Sequence, residues 1–129
     1  MATLTARSRS AVPTEAKEQK ALFEWADRAK GRYPALRWLF HIPNGGSRNL
    51  IEARHLKEQG VKAGVPDIFL PCPNPIHMGL FIELKRRERG EVSKAQREWI
   101  AELNKAGYRA VVCKGWEEAR DEIMKYLSI

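Results

Sequence analysis

The chain predicts an α/β domain, and three observations carry that expectation. Apolar residues recur at helical spacing in four stretches, runs rich in β-formers fall between those stretches, and Gly, Pro and Asn punctuate the joins. The resulting order is α, β, α, β, β, α, β, α. With 129 residues there is room for one domain with a real core. The expected organisation is a flexible basic tail over 1–13, where Arg7 and Arg9 stand among Ser, Thr and Ala, and a single domain over 14–129.

Thr14 is a suitable N-cap for a helix running to about residue 30, with Leu22, Phe23, Trp25, Ala26 and Ala29 on one face and Gly31 as its stop. At about 100° per residue, Glu15 falls near the centre of that apolar face, with Gln19 beside it and Glu24 opposite. Glu15 is therefore expected to point inward, although an acid there can also serve only as a partner for the positive helix end. Residues 37–42 (RWLFHI) read as a short strand and 43–46 (PNGG) as a turn. A helix over 49–59 is closed by Gly60, and Arg48, Arg54, His55, Lys57 and Lys62 make this region basic. Strands are expected over 67–70 and 80–86, joined by the Pro-rich loop PCPNPIHMG. Ser93-x-x-Gln96 fits a capping box that opens a helix over 93–105. A buried strand over 108–113 and a closing helix over 116–127 complete the chain.

No apolar run approaches the roughly 20 residues of a membrane-spanning helix, and the N-terminus lacks the apolar stretch of a secretory signal, so an intracellular protein is expected. Cys72 and Cys113 stand apart without a CxxC pair and are read as thiols, with no zinc site indicated. Lys and Arg outnumber Asp and Glu by 23 to 16, a formal charge of +7 that favours a polyanionic partner.

The chemistry concentrates in the two central strands. Alternation puts Phe81, Glu83 and Lys85 on one face and Ile82 and Leu84 on the other. If the strands pair as an antiparallel hairpin with Phe69 opposite Phe81, Asp67 lies opposite Glu83, with side chains about 5 Å apart. Two carboxylates this close, partly buried, stay ionised only if a cation compensates them. Magnesium, which takes oxygen ligands, keeps several waters and binds substrate phosphates, suits the pair. Lys85 beside them would orient a nucleophile and stabilise developing negative charge, so the implied reaction is phosphodiester hydrolysis. The competing reading is a plain surface salt bridge. Gly64 and Pro66 favour the first reading because they fix the chain just before Asp67.

The strings HIPNGG (41–46), GVKAGVPD (60–67), GLFIELK (79–85) and SKAQREW (93–99) carry Pro66-Asp67 and, sixteen residues beyond Asp67, Glu83-Leu84-Lys85. This pattern resembles the PD-(D/E)XK nuclease superfamily. Within it, residues from about 15 to 127 resemble the virus-type replication-repair nuclease (VRR-NUC) domain in its stand-alone phage and prophage form. The resemblance implies a restriction-endonuclease-like fold with a mixed central sheet flanked by helices. It implies Asp67, Glu83, Lys85 and Gln96 as catalytic residues, and Glu15, Asp67, Glu83 and the main-chain carbonyl of Leu84 around Mg²⁺, with Mn²⁺ as a substitute. Glu18 competes with Glu15 for the acid of the first helix, and Glu15 is preferred for its place on the wheel. His41 and Asn44 become candidates for substrate contact, and Arg48, Arg86 and Arg87, with Arg54 and Arg89, for DNA phosphates. The implied activity is a structure-selective DNA endonuclease on branched DNA such as four-way junctions, acting as a homodimer in a bacterial or phage-infected cytoplasm. A flap or duplex nuclease, a catalytically silent DNA-binding protein of the same fold and a basic protein-interaction module are the alternatives.

Overall fold

The computed structural model describes residues 12–43 and 49–129. Helix α1 (Glu15–Ala29) starts where the Thr14 hydroxyl accepts the Lys17 N–H at 3.2 Å. A 3-10 helix (Pro34–Trp38) follows, then β1 (Phe40–His41), α2 (Leu50–Glu58), β2 (Ile68–Leu70), β3 (Leu80–Lys85), α3 (Lys94–Lys105), β4 (Arg109–Lys114) and α4 (Trp116–Leu127). The strands form one sheet in the order β1-β2-β3-β4, antiparallel across the first two joins and parallel across the third. The parallel join requires a crossover, which α3 supplies.

The core lies on one face of this sheet. Ile68, Leu70, Leu80, Ile82 and Leu84 point the same way and are covered by Leu22 and Ala26 of α1 and by Ala119, Ile123 and Tyr126 of α4, all buried. On the opposite face Phe69 stacks on Phe81 at 4.1 Å, Tyr108 meets Phe81 edge-on at 5.3 Å, and Phe40 meets Phe69 edge-on at 5.8 Å. The acidic pair belongs to this second face, beyond the aromatic stack.

The strand expected over 37–42 is confined to Phe40–His41, and the 3-10 helix takes its first half. Pro34 presets the opening turn, and Leu36 and Leu39, three residues apart, are both buried. A strand would have sent those two leucines to opposite faces. The remaining elements fall within one or two residues of their expected bounds. Residues 1–11, including Arg7 and Arg9, lie outside the described residues, but Pro13 at the end of the expected tail is engaged, its carbonyl accepting the Arg86 Nε–H at 3.3 Å. Both cysteines are free, and burial pushes the Cys113 thiol up to about 12. Among the described residues no helix is long and apolar enough to cross a membrane.

Candidate active site

The β2/β3 register is the one the phenylalanine pairing predicts, with Phe69 opposite Phe81 and Ile68 opposite Ile82. Continuing it by one step sets Asp67, the residue before β2, across from Glu83. Asp67 is anchored at both ends. Its Oδ2 accepts the Leu84 N–H at 2.9 Å, and its main-chain carbonyl accepts the Ile42 N–H at 2.6 Å and lies 2.8 Å from His41 Nδ1. The turn before it depends on Gly64, whose φ of +93° is unfavourable for any residue with a side chain.

Glu83 is 1% exposed and Lys85, two residues along the same strand face, is also buried. Lys85 Nζ stands 3.5 Å from Glu83 Oε2, and Gln96 Nε2 donates to the same oxygen at 3.2 Å. Gln96 also closes the capping box of α3: its Oε1 accepts the Ser93 N–H at 2.8 Å while Ser93 Oγ accepts the Gln96 N–H at 3.1 Å. Holding the start of α3 thus orients the amide toward Glu83. The other Glu83 oxygen, Oε1, is buried and has no hydrogen-bond partner among the described residues. Burial first, and the adjoining Asp67 carboxylate second, push Glu83 up to about 8 against the opposing pull of Lys85. Such a pair is stable only with a proton or a cation to compensate it.

Glu15, at the first turn of α1, completes the cluster. One oxygen each of Glu15, Asp67 and Glu83 lie within 4.8 Å of one another, grading from exposed through half-buried to buried. Three hard carboxylate donors, from a set that includes Glu83 with its orphaned buried oxygen, fit a divalent cation of the Mg²⁺ or Mn²⁺ type. The peptide between Glu83 and Lys85 contributes the main-chain carbonyl of Leu84 to the same stretch of strand, while the Leu84 side chain is in the core.

Glu18 has a different task, and Glu15 does not sit at the centre of the buried face as the helical wheel predicts. Glu15 is exposed, and the buried line of α1 runs through Glu18, Leu22 and Ala26. Glu18 is nevertheless engaged elsewhere than in the carboxylate cluster. It takes Arg87 Nε and Nη2 at 2.9 and 3.0 Å and the Trp116 N–H at 3.2 Å, and the guanidinium holds its carboxyl below the usual range. Glu15 joins the other carboxylates because it lies one turn nearer the helix start, where the helix overruns the core. Arg87 also bonds Glu117 at 2.9 Å and so ties the end of β3 to both α1 and α4. The sequence marks Arg87 only as a candidate phosphate contact, and no local signal links positions 18 and 87. Arg86 is half-buried against Pro13, Arg54 and Arg89 are exposed, and Asn44 and Arg48 lie outside the described residues.

A sheet that is antiparallel over two joins and then crosses in parallel through a helix, with carboxylates gathered at one end of its central pair, defines a nuclease fold of the PD-(D/E)XK type. The VRR-NUC domain description matches residues 13–117, and the chain belongs to that family. It is also similar to a solved structure described as a VRR_NUC domain protein, with 35% identity, a TM-score of 0.77, and coverage of 90% of this chain and 89% of that one. No curated protein sequence matches it significantly. The nuclease family implies DNA as the substrate.

Proposed function

We propose that the protein is a Mg²⁺-dependent DNA endonuclease that hydrolyses phosphodiester bonds at Asp67, Glu83 and Lys85. The observation that carries the proposal is a three-carboxylate cluster in which Glu83 keeps a buried Oε1 unpartnered among the described residues, with a buried lysine beside it. Glu15, Asp67, Glu83 and the Leu84 carbonyl would hold the metal, and Mn²⁺ would substitute. When bound, the metal supplies charge neutralisation at the phosphate and a more acidic water. Asp67, held through Leu84 and the β1 backbone, presents a fixed oxygen to the site. Gln96 keeps the Glu83 carboxylate from rotating. The Lys85 ammonium, restrained by Glu83, orients the attacking water and donates to the oxygen on which charge develops. Arg86, together with Asn44 and Arg48, is assigned to the DNA backbone. Arg87, already shared between Glu18 and Glu117, contributes the field of its charge.

The reading extends to branched DNA, four-way junctions foremost, cut by a homodimer, because two active sites suit two strands and the VRR-NUC resemblance points the same way. The experiment incubates the protein with Mg²⁺, Mn²⁺ or EDTA and a panel of duplex, single-stranded, flap and four-way-junction DNA, with Asp67→Ala and Lys85→Ala alongside. Metal-dependent cutting that falls at least about 100-fold in both variants, with DNA binding kept, is expected, since these groups act on the transition state. Cutting that survives both substitutions overturns the assignment. Binding without cutting by the wild type leaves a silent DNA-binding protein. Sedimentation then decides the homodimer.

A further inference from the structure

We propose that His41 is a positioning residue for Asp67, acting through a hydrogen bond from its Nδ1–H to the Asp67 main-chain carbonyl; the proposal rests on the nuclease reading above. The two groups are 2.8 Å apart and 26 positions apart in sequence. A carbonyl oxygen can only accept, so in this contact Nδ1 carries the proton and a neutral imidazole has Nε2 bare. The Asp67 carbonyl therefore accepts two bonds, from His41 Nδ1 and from the Ile42 N–H at 2.6 Å, which use both of its lone pairs.

The location makes this matter. His41↔Ile68 is the last registered pair of β1 and β2, and Asp67 is the residue immediately before β2 begins. Strand ends fray, and a carboxylate one residue beyond the ladder swings with its own backbone. The Leu84 N–H restrains one carboxylate oxygen from the β3 side, and His41 with Ile42 restrains the main chain from the β1 side. His41 is exposed, so water competes for its bond and the contribution to folding is small. Its effect is expected on the direction of the Asp67 carboxylate, and hence on metal affinity and turnover, while stability stays nearly unchanged.

Three substitutions in the full chain separate the ring nitrogens. His41→Asn keeps an amide N–H near the place of Nδ1, His41→Gln moves the amide toward the place of Nε2, and His41→Ala removes both. Mn²⁺ affinity is measured calorimetrically without DNA, cleavage as kcat and KM, and folding by the metal-free melting temperature. His41→Ala and His41→Gln are expected to lose about tenfold in Mn²⁺ affinity and about 10- to 100-fold in kcat, with KM for DNA and the melting temperature little changed. His41→Asn is expected to stay within about threefold of the wild type. Retention by Gln with loss in Asn would place the working nitrogen at Nε2 and overturn the proposal, as would equal loss, or no loss, in all three variants. If the wild type cuts no DNA while the Mn²⁺ series still ranks Asn above Gln and Ala, the positioning role stands and the nuclease reading falls.

Discussion

At the scale of single residues, two glutamates three positions apart on α1 are used in opposite ways. Glu18 is a buried anion whose charge is met by Arg87, whereas Glu15 faces two other carboxylates. Glu18→Gln is therefore expected to destabilise the fold by about 2–3 kcal/mol, because it weakens a charge-assisted pair made at a buried site. Glu15→Gln should cost little stability and weaken metal binding; thermal melts and Mn²⁺ titrations of both variants check this, and a melt defect in Glu15→Gln would contradict it. Glu18 and Glu83 differ in the sign of their pH effects. Glu18 is lowered, so its contribution is present above its usual 4.5 and lost as pH falls through the lowered value. Glu83 is raised to about 8, so its contribution is full below 4.5 and lost as pH rises through about 8, by up to about 1.4 kcal/mol per pH unit. A proton and a divalent cation compete for the same carboxylate. Mg²⁺ affinity should accordingly climb up to about tenfold per pH unit below pH 8 and flatten above it, as melting-temperature shifts at several pH values would read.

At the scale of elements, the start of α3 is where folding and chemistry meet. Gly64, in the turn before Asp67, lies so close to α3 that an added Cβ would come 2.7 Å from the main-chain carbon of Ala95, the neighbour of Gln96. Gly64→Ala carries both that collision and a positive φ, and should cost about 3 kcal/mol. Because neither partner is a flexible side-chain end, relief requires moving the Asp67 turn or the start of α3, and either shift disturbs the Gln96 to Glu83 bond. The check is a denaturant melt paired with a cleavage assay at a temperature where the variant is still folded; full activity there would show that the turn and the helix adjust independently of the site.

At the scale of the whole molecule, the charge of +7 belongs to a chain that gathers three carboxylates at its candidate site. Attraction to DNA must therefore come from the excess of Lys and Arg elsewhere on the chain. Binding measured by anisotropy should fall by at least about tenfold between 50 and 200 mM salt, since each phosphate contact releases counterions. Salt-independent binding would point to a protein partner instead. Asp67→Ala should bind DNA as well as or better than the wild type in the absence of metal, because it removes a negative charge from the surface the phosphate approaches.

Much of this protein was legible in the sequence because it depends on near neighbours. Strand alternation puts Glu83 beside Lys85, the Phe69 and Phe81 pairing sets the hairpin that brings Asp67 across, and Ser93 with Gln96 caps α3; each involves residues on one element or on two strands joined by a short loop. What the tertiary structure alone decided involves distant positions. A helical wheel puts Glu15 and Glu18 on the same side of α1, about 60° apart, and cannot tell which of them meets Arg87 and which overruns the core toward Asp67. Likewise the bond of His41 to the Asp67 carbonyl, the second role of Gln96 at Glu83, and the burial that raises Glu83 exist only once β1, β3 and α3 are packed together. Period and capping are properties of a segment. Desolvation and cross-element hydrogen bonds are properties of the space between segments, and at this site they set the charge state of Glu83.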